Sequence, residues 1–130
     1  MKVLISAFES FDGRSINISQ EVITLLRDEY EKVIIPVSYN RCFSVLKEKI
    51  EEYKPDIVLC LGEAVNREEI CIEKQAVNIR DASICDNDNV KYTNDVILKG
   101  GEEVLYSNSN INVIVSETRI KLSNDAGKYV

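Results

Sequence analysis

The side chains able to do chemistry are unevenly supplied. The chain holds four cysteines, Cys42, Cys60, Cys71 and Cys85, and no histidine among its 130 residues. An imidazole is the usual neutral-pH base and the usual activator of a serine or cysteine, so a Ser-His or Cys-His catalyst built only from these residues is excluded. A free thiol with a pKa of about 8.5 is only slightly ionised at neutral pH, so none of the four cysteines replaces such a pair by itself. They lack Cys-x-x-Cys spacing and have no histidine to join them, and no structural zinc site is expected. Three of the four sit in apolar runs or on a helical face and read as buried thiols. The carboxylate that stands out is Glu73, in the stretch Leu59 to Asn78, LCLGEAVNREEICIEKQAVN. It shares with Asn78 a set of neighbours that look buried, and an ionised group withdrawn from water needs partners. Glu73 therefore serves a site, or it pairs with Lys74 or Arg67 at a strand end.

Composition narrows the partners. The net charge is −6 and the pI about 4.8, so nucleic acid and anionic membrane would both repel the chain at long range. Small molecules and peptides remain. No apolar run approaches the roughly 20 residues needed to span a bilayer, and the opening Met1 to Ser6 lacks the form of a secretory leader. A cytoplasmic protein of one domain, residues 1–130, is expected, large enough to bury about two-thirds of its unfolded surface.

The elements that must position these residues follow in order. Lys2 to Phe8 is a strand, and Glu9 to Arg14 is a loop. Ser19 is a credible N-cap, with Ile18 and Ile23 as a hydrophobic staple, for a helix of about three turns reaching toward Tyr30. Lys32 to Ser38 is a second strand. A second helix runs from about Asn40 to Tyr53, with Phe43, Leu46, Ile50 and Tyr53 on one stripe and an end at Lys54-Pro55. Asp56 to Leu61 is a continuous apolar strand of the kind buried on both faces. Strand, helix, strand, helix, strand predicts a three-layer α/β/α sandwich with a mostly parallel central sheet. Ligands in such sheets bind beyond the carboxyl ends of the strands, which puts Phe8 to Asn17 and Gly62 to Arg67 at one rim.

Beyond the rim the signals weaken. Ile70 to Ile79 alternates well enough for one or two short strands, and Arg80 to Asn94, dense in Asp and Asn, reads as a long loop with a functional use. Glu102 to Tyr106 is a short helical turn at best. Ile111 to Val115 fits either strand or helix, and Ile120 to Leu122 reads as a last strand. No P-loop or dinucleotide fingerprint is present.

Taken together, the rim segments resemble the pyroglutamyl peptidase I, or pyrrolidone-carboxylate peptidase, family of cysteine peptidases. The family's G-F-x-P-F-G-G turn appears as Ala7 to Gly13, its N-P-S as Asn17-Ile18-Ser19, and its L-P-V-S as Ile35 to Ser38. The block K-P-D-v-v-l-c-l-G-q-A-g-g-R-x-x-I-t-x-E-r-x-A-x-N appears as Lys54 to Asn78, with Gly62, Ala64, Arg67, Ile70, Glu73, Ala76 and Asn78 in step. A-r-I-p-D-N becomes Ala82 to Asn87, and S-x-x-A-G-x-y-v becomes Ser123 to Val130.

The resemblance implies a Cys-His-Glu triad that removes an N-terminal pyroglutamyl residue from peptides, with no cofactor and no metal. Glu73 holds the glutamate position. Phe8, Phe11, Asn17 and Ile84 map to the pocket for the lactam ring, and simple core packing also explains the two phenylalanines. The nucleophile is expected just after Val130, so the chain reads as an incomplete domain, truncated at its C-terminal side and inactive alone. The alternative is a non-catalytic homologue that binds a small ligand or peptide. Three departures bear on this choice. Glu63 replaces a glutamine and would bring a charge to the pocket, Val65-Asn66 replaces a glycine pair, and Ser83 replaces an arginine. An uncovered last strand would favour self-association.

Overall fold

Strand β1 (Val3–Phe8) is the centre of the first sheet. Its residues Leu4, Ile5, Ser6 and Ala7 are no more than 3% exposed, as expected of a strand with partners on both sides. Those partners are β2 (Glu31–Ile35) and β3 (Ile57–Cys60), both parallel to it, in the order β2-β1-β3. Ser6 lies opposite Val33 on one side and Cys60 on the other. Parallel neighbours need crossovers, and the helices α1 (Ile18–Leu25) and α2 (Cys42–Tyr53) lie within them. The fold is therefore α/β, a parallel sheet with helices, as the order of elements in the sequence predicts.

The computed structural model describes residues 1–65, 67–107, 121–122 and 127–128. Its chain forms two compact units, Met1–Ala64 with Ser83–Lys91 and Val65–Ala82 with Tyr92–Val130. In the first unit Ile5, Ala7 and Ile23 form the core, with Val3, Leu26, Tyr30 and Leu61 packed against it.

Several local expectations change. The N-cap of α1 is Asn17, not Ser19: Asn17 is extended, with φ −115° and ψ 125°, and its Oδ1 accepts the Ser19 N–H. Ser19 lies inside the helix, buried, and its hydroxyl donates back to Asn17. The helix is also shorter than expected, because Leu26 is already extended. Helix α2 ends as expected at Lys54, which adopts φ 51° just before Pro55. Phe43, placed on its apolar stripe, is instead 63% exposed, while Cys42 is buried. Of the other cysteines, Cys60 and Cys85 are exposed and Cys71 half-buried, because Cys60 sits on an edge strand and Cys85 in a loop. Strand β3, expected to be buried on both faces, is exposed along its length, with Leu59 at 48%.

The second unit is built from short strands. β5 (Gln75–Val77) lies between β8 (Val104–Tyr106), antiparallel, and β10 (Gly127–Lys128), parallel. β4 (Cys71–Ile72) pairs in parallel with β9 (Lys121–Leu122), and β6 (Ile79–Arg80) pairs antiparallel with β7 (Asp95–Val96). The segment expected as a helical turn is thus strand β8, held by pairing with β5 that local propensity does not report. Ile120, Ile111 to Val115 and Ser123 to Ala126 lie outside the described residues.

Asn78 organises this unit. Its side chain donates to the Leu98 carbonyl and accepts the Leu98 N–H, each at 2.8 Å, so a 9% exposed amide is satisfied at both ends. Gly101 closes over it: a Cβ there would come within 3.2 Å of Asn78 Nδ2 and 3.0 Å of Leu98 Cδ2.

Candidate active site

The loop following β1 carries most of the residues singled out for binding. Phe8 ends the strand opposite Ile35 and is half-buried. The chain then turns through Asp12 and Gly13, both at positive φ, and Arg14 N–H donates to the Phe11 carbonyl at 3.1 Å. Phe11 is half-buried in this turn. Asn17 closes the loop. It is 1% exposed, its Nδ2 donates to the Glu9 carbonyl at 3.0 Å, and its Oδ1 accepts from Ser19 N–H and Oγ–H at 2.9 and 2.6 Å. The Ser19 hydroxyl in turn accepts the Phe8 N–H at 3.2 Å. The Asn17 amide is thus engaged in holding both ends of the loop.

Glu63 reaches the same loop from beyond β3. Its side chain is only 6% exposed and its oxygens are shared out: Oε1 pairs with the Arg14 guanidinium, and Oε2 accepts the Ile18 N–H at 2.9 Å. That N–H is one of the unpaired donors at the start of α1, so the carboxylate caps a helix as well as pairing an arginine. The Ile18 N–H and then Arg14 hold the Glu63 carboxyl below the usual carboxylate range. The charge the sequence brought to this rim is therefore neutralised locally.

Ile84, 46% exposed, stands on the segment Ser83–Lys91, which belongs to the first unit. Carboxylates bind this segment to the end of β2 and the start of α2. Asp88 takes a bidentate contact from Arg41 at 2.7 Å and a hydrogen bond from Ser38 Oγ at 2.6 Å. Arg41, with Ser38, lowers the Asp88 pKa to about 2. Asp86 accepts the Tyr39 N–H at 2.8 Å. Asn87 Nδ2 donates to Glu9 Oε1 at 3.0 Å and to the Ser10 carbonyl at 2.8 Å. Within the first unit, hydrogen bonds thus join the loop of Phe8, Phe11 and Asn17 to both Glu63 and the segment of Ile84.

Glu73 belongs to the second unit, between β4 and β5. It is exposed rather than buried, with 39% of its side chain accessible, and Arg67 Nη1 donates to its Oε1 at 2.6 Å. Oε2 has no partner among the described residues.

Glu9, Arg14, Asn87 and the Arg41–Asp88 pair were not singled out by sequence. The signals for Asn87 and Asp88 were the density of Asp and Asn from residue 80 to 94, which marks turns without saying what they hold, and, for Asn87, the match to A-r-I-p-D-N; Glu9, Arg14 and Arg41 carried none.

Comparison with known proteins agrees with this architecture. The pyroglutamyl peptidase family model matches residues 1–130. The chain is similar to the pyrrolidone-carboxylate peptidase of Thermosipho melanesiensis, 39% identical over 140 residues that span 100% of this chain and 69% of that protein. Its structure is similar to pyrrolidone carboxyl peptidase from Pyrococcus furiosus, with a TM-score of 0.89 and 33% identity over 99% of this chain and 67% of that one. It is also similar to pyroglutamyl peptidase I of Bacillus amyloliquefaciens, with a TM-score of 0.90 and 26% identity over 99% and 66% of the two chains. A match of family, sequence and structure over essentially all 130 residues makes this chain a member of the pyroglutamyl peptidase family.

Proposed function

We propose that the chain carries the ring-binding part and one triad member of a pyroglutamyl peptidase, whose substrates are peptides beginning with pyroglutamate. The observation that carries the reading is the family match along residues 1–130, and the hydrogen-bonded set of loops around Phe8, Phe11 and Ile84 supports it. Phe8 and Phe11 supply flat apolar walls suited to a small uncharged lactam, and Ile84 a third apolar surface. Asn17 and Glu63 act in this reading mainly by holding the loop, since their polar atoms are engaged within the protein.

Glu73 is the carboxylate that orients an imidazole. Arg67 fixes one of its oxygens and leaves the other to accept an N–H. The 130 residues hold no histidine to pair with Glu73 or to activate a cysteine, so in this reading the polypeptide by itself is inactive. The second reading, a non-catalytic binding homologue, is favoured by that same count. Four free cysteines suit a reducing compartment, and we place the protein in the cytoplasm. Among the described residues no helix is long and apolar enough to cross a membrane.

Two measurements test the proposal. Purified chain mixed with pyroglutamyl-aminomethylcoumarin should release no fluorophore; turnover abolished by Glu73→Ala would show the chain to be catalytically complete. Titration with L-pyroglutamyl methylamide should shift the backbone amides of Phe8, Phe11 and Ile84 saturably, and an unresponsive spectrum would refute the ring site.

A further inference from the structure

We infer that Asn87 is a positioning residue for the ring site, setting the place of the Ile84 segment against the loop of Phe8 and Phe11. The inference rests on the reading of those three residues as the walls of that site.

The chemistry of the carboxamide carries it. A primary amide has two N–H donors, and Asn87 uses Nδ2 for two acceptors on consecutive residues, Glu9 Oε1 and the Ser10 carbonyl. Its own backbone N–H donates to the Val37 carbonyl at 3.0 Å. Glu9 completes the junction, since the same Oε1 accepts the Val37 N–H at 3.1 Å and the Glu9 N–H donates to Ile35 at 3.0 Å. One side chain thus joins the loop after β1 to the chain after β2 and to the segment of Ile84.

The segment presenting Asn87 is itself well held. Asp86 Oδ1 accepts the N–H groups of Asp88 and Val90 at 3.0 and 2.8 Å, and Asn89 turns the backbone at φ 65°. Asp86 and Asp88 anchor it to Tyr39, Ser38 and Arg41. The hydrogen bonds of those anchors run to Ser38, Tyr39 and Arg41, whereas those of the Asn87 amide run to Glu9 and Ser10. Loss of the Asn87 amide therefore leaves the segment attached and frees only its tie to the loop of Phe8 and Phe11. Aspartate is the worst replacement, because it removes both donors and sets a carboxylate against Glu9.

The experiment compares the wild-type chain with Asn87→Asp, Glu9→Gln/Asn87→Asp and Lys49→Ala. It measures melting temperature, amide hydrogen exchange, and the Kd for L-pyroglutamyl methylamide by NMR. Asn87→Asp should speed exchange at Val37 and Arg14 and raise the Kd, each by about tenfold. Glu9→Gln supplies a donor to the new carboxylate and should restore much of both. Lys49→Ala, which breaks the ion pair between α2 and Glu31 at the end of β2 away from Ile35, should leave the Kd within about twofold. Equal effects of Asn87→Asp and Lys49→Ala on the Kd would overturn the inference, as would a melting change in Asn87→Asp without local exchange. If the wild-type chain binds no ligand, the ring-site reading fails. Asn87 is then judged by exchange alone: unchanged protection at Val37 and Arg14 overturns its positioning role, and a tenfold loss sustains it.

Discussion

Glu63 shows how a single charge is accommodated at the rim. The resemblance has a neutral glutamine at this position, and an unpaired carboxylate beside a lactam would be costly. The structure gives it the Arg14 guanidinium and the first N–H of α1. Both partners favour the anion, so the folded-state pKa lies below the unfolded one. A depressed carboxyl contributes stability above its unfolded pKa and loses it as pH falls toward the folded value. Glu63→Gln should therefore reduce stability at neutral pH and flatten the fall in stability as pH drops below the ordinary carboxyl value of 4.5. Urea unfolding across that range checks it, and an unchanged acid slope would contradict the pairing. Asn17 is the second test at this scale. As a buried N-cap with three side-chain hydrogen bonds, its change to alanine should lower unfolding free energy by about 1–2 kcal/mol.

At the scale of elements, the segment Ser83–Lys91 behaves as part of the first unit although some 50 residues separate Asp88 from Arg41 and Ser38. It has no strand or helix of its own, and carboxylates hold it in place. Asp88, with a pKa lowered from 3.8 to about 2, is stabilising above pH 4 and loses that contribution as pH falls to about 2. Asp88→Asn should remove this acid-dependent step and loosen the segment first. Amide exchange at Val90 and Asn87 in wild type and variant, measured at pH 6 and again at pH 3, is the check. Wild-type protection that is the same at both pH values would contradict the assignment. α1 illustrates the same rule in miniature: Ser19 is a good cap by type, but the cap lies two residues earlier at Asn17, which is extended and has the partners.

At the scale of the whole molecule, the apolar strand β3 lies, among the described residues, at the edge of its sheet, with Ile57, Val58 and Leu59 between 39% and 48% exposed. A short uncharged edge of this kind invites strand addition, and we propose that the chain self-associates through it despite its net charge of −6. Leu59→Lys should shift the chain toward monomer in size-exclusion chromatography and sedimentation, and an unchanged oligomer distribution would remove β3 from the interface. The sequence by itself determined the alternation of strands and helices, the stop at Lys54-Pro55, the α/β class and the family. These depend on backbone propensity, apolar periodicity and motif spacing, all carried by neighbouring residues. The tertiary structure alone decided that β3 is an edge among the described residues, that Val104 to Tyr106 forms a strand, and that Glu63, Asp88 and Asn87 find their partners. Those partners lie 45 to 78 residues away. Nothing local in a side chain states which distant donor the returning chain will bring to it, and hydrophobicity states a tendency to be covered without naming the neighbour that covers it.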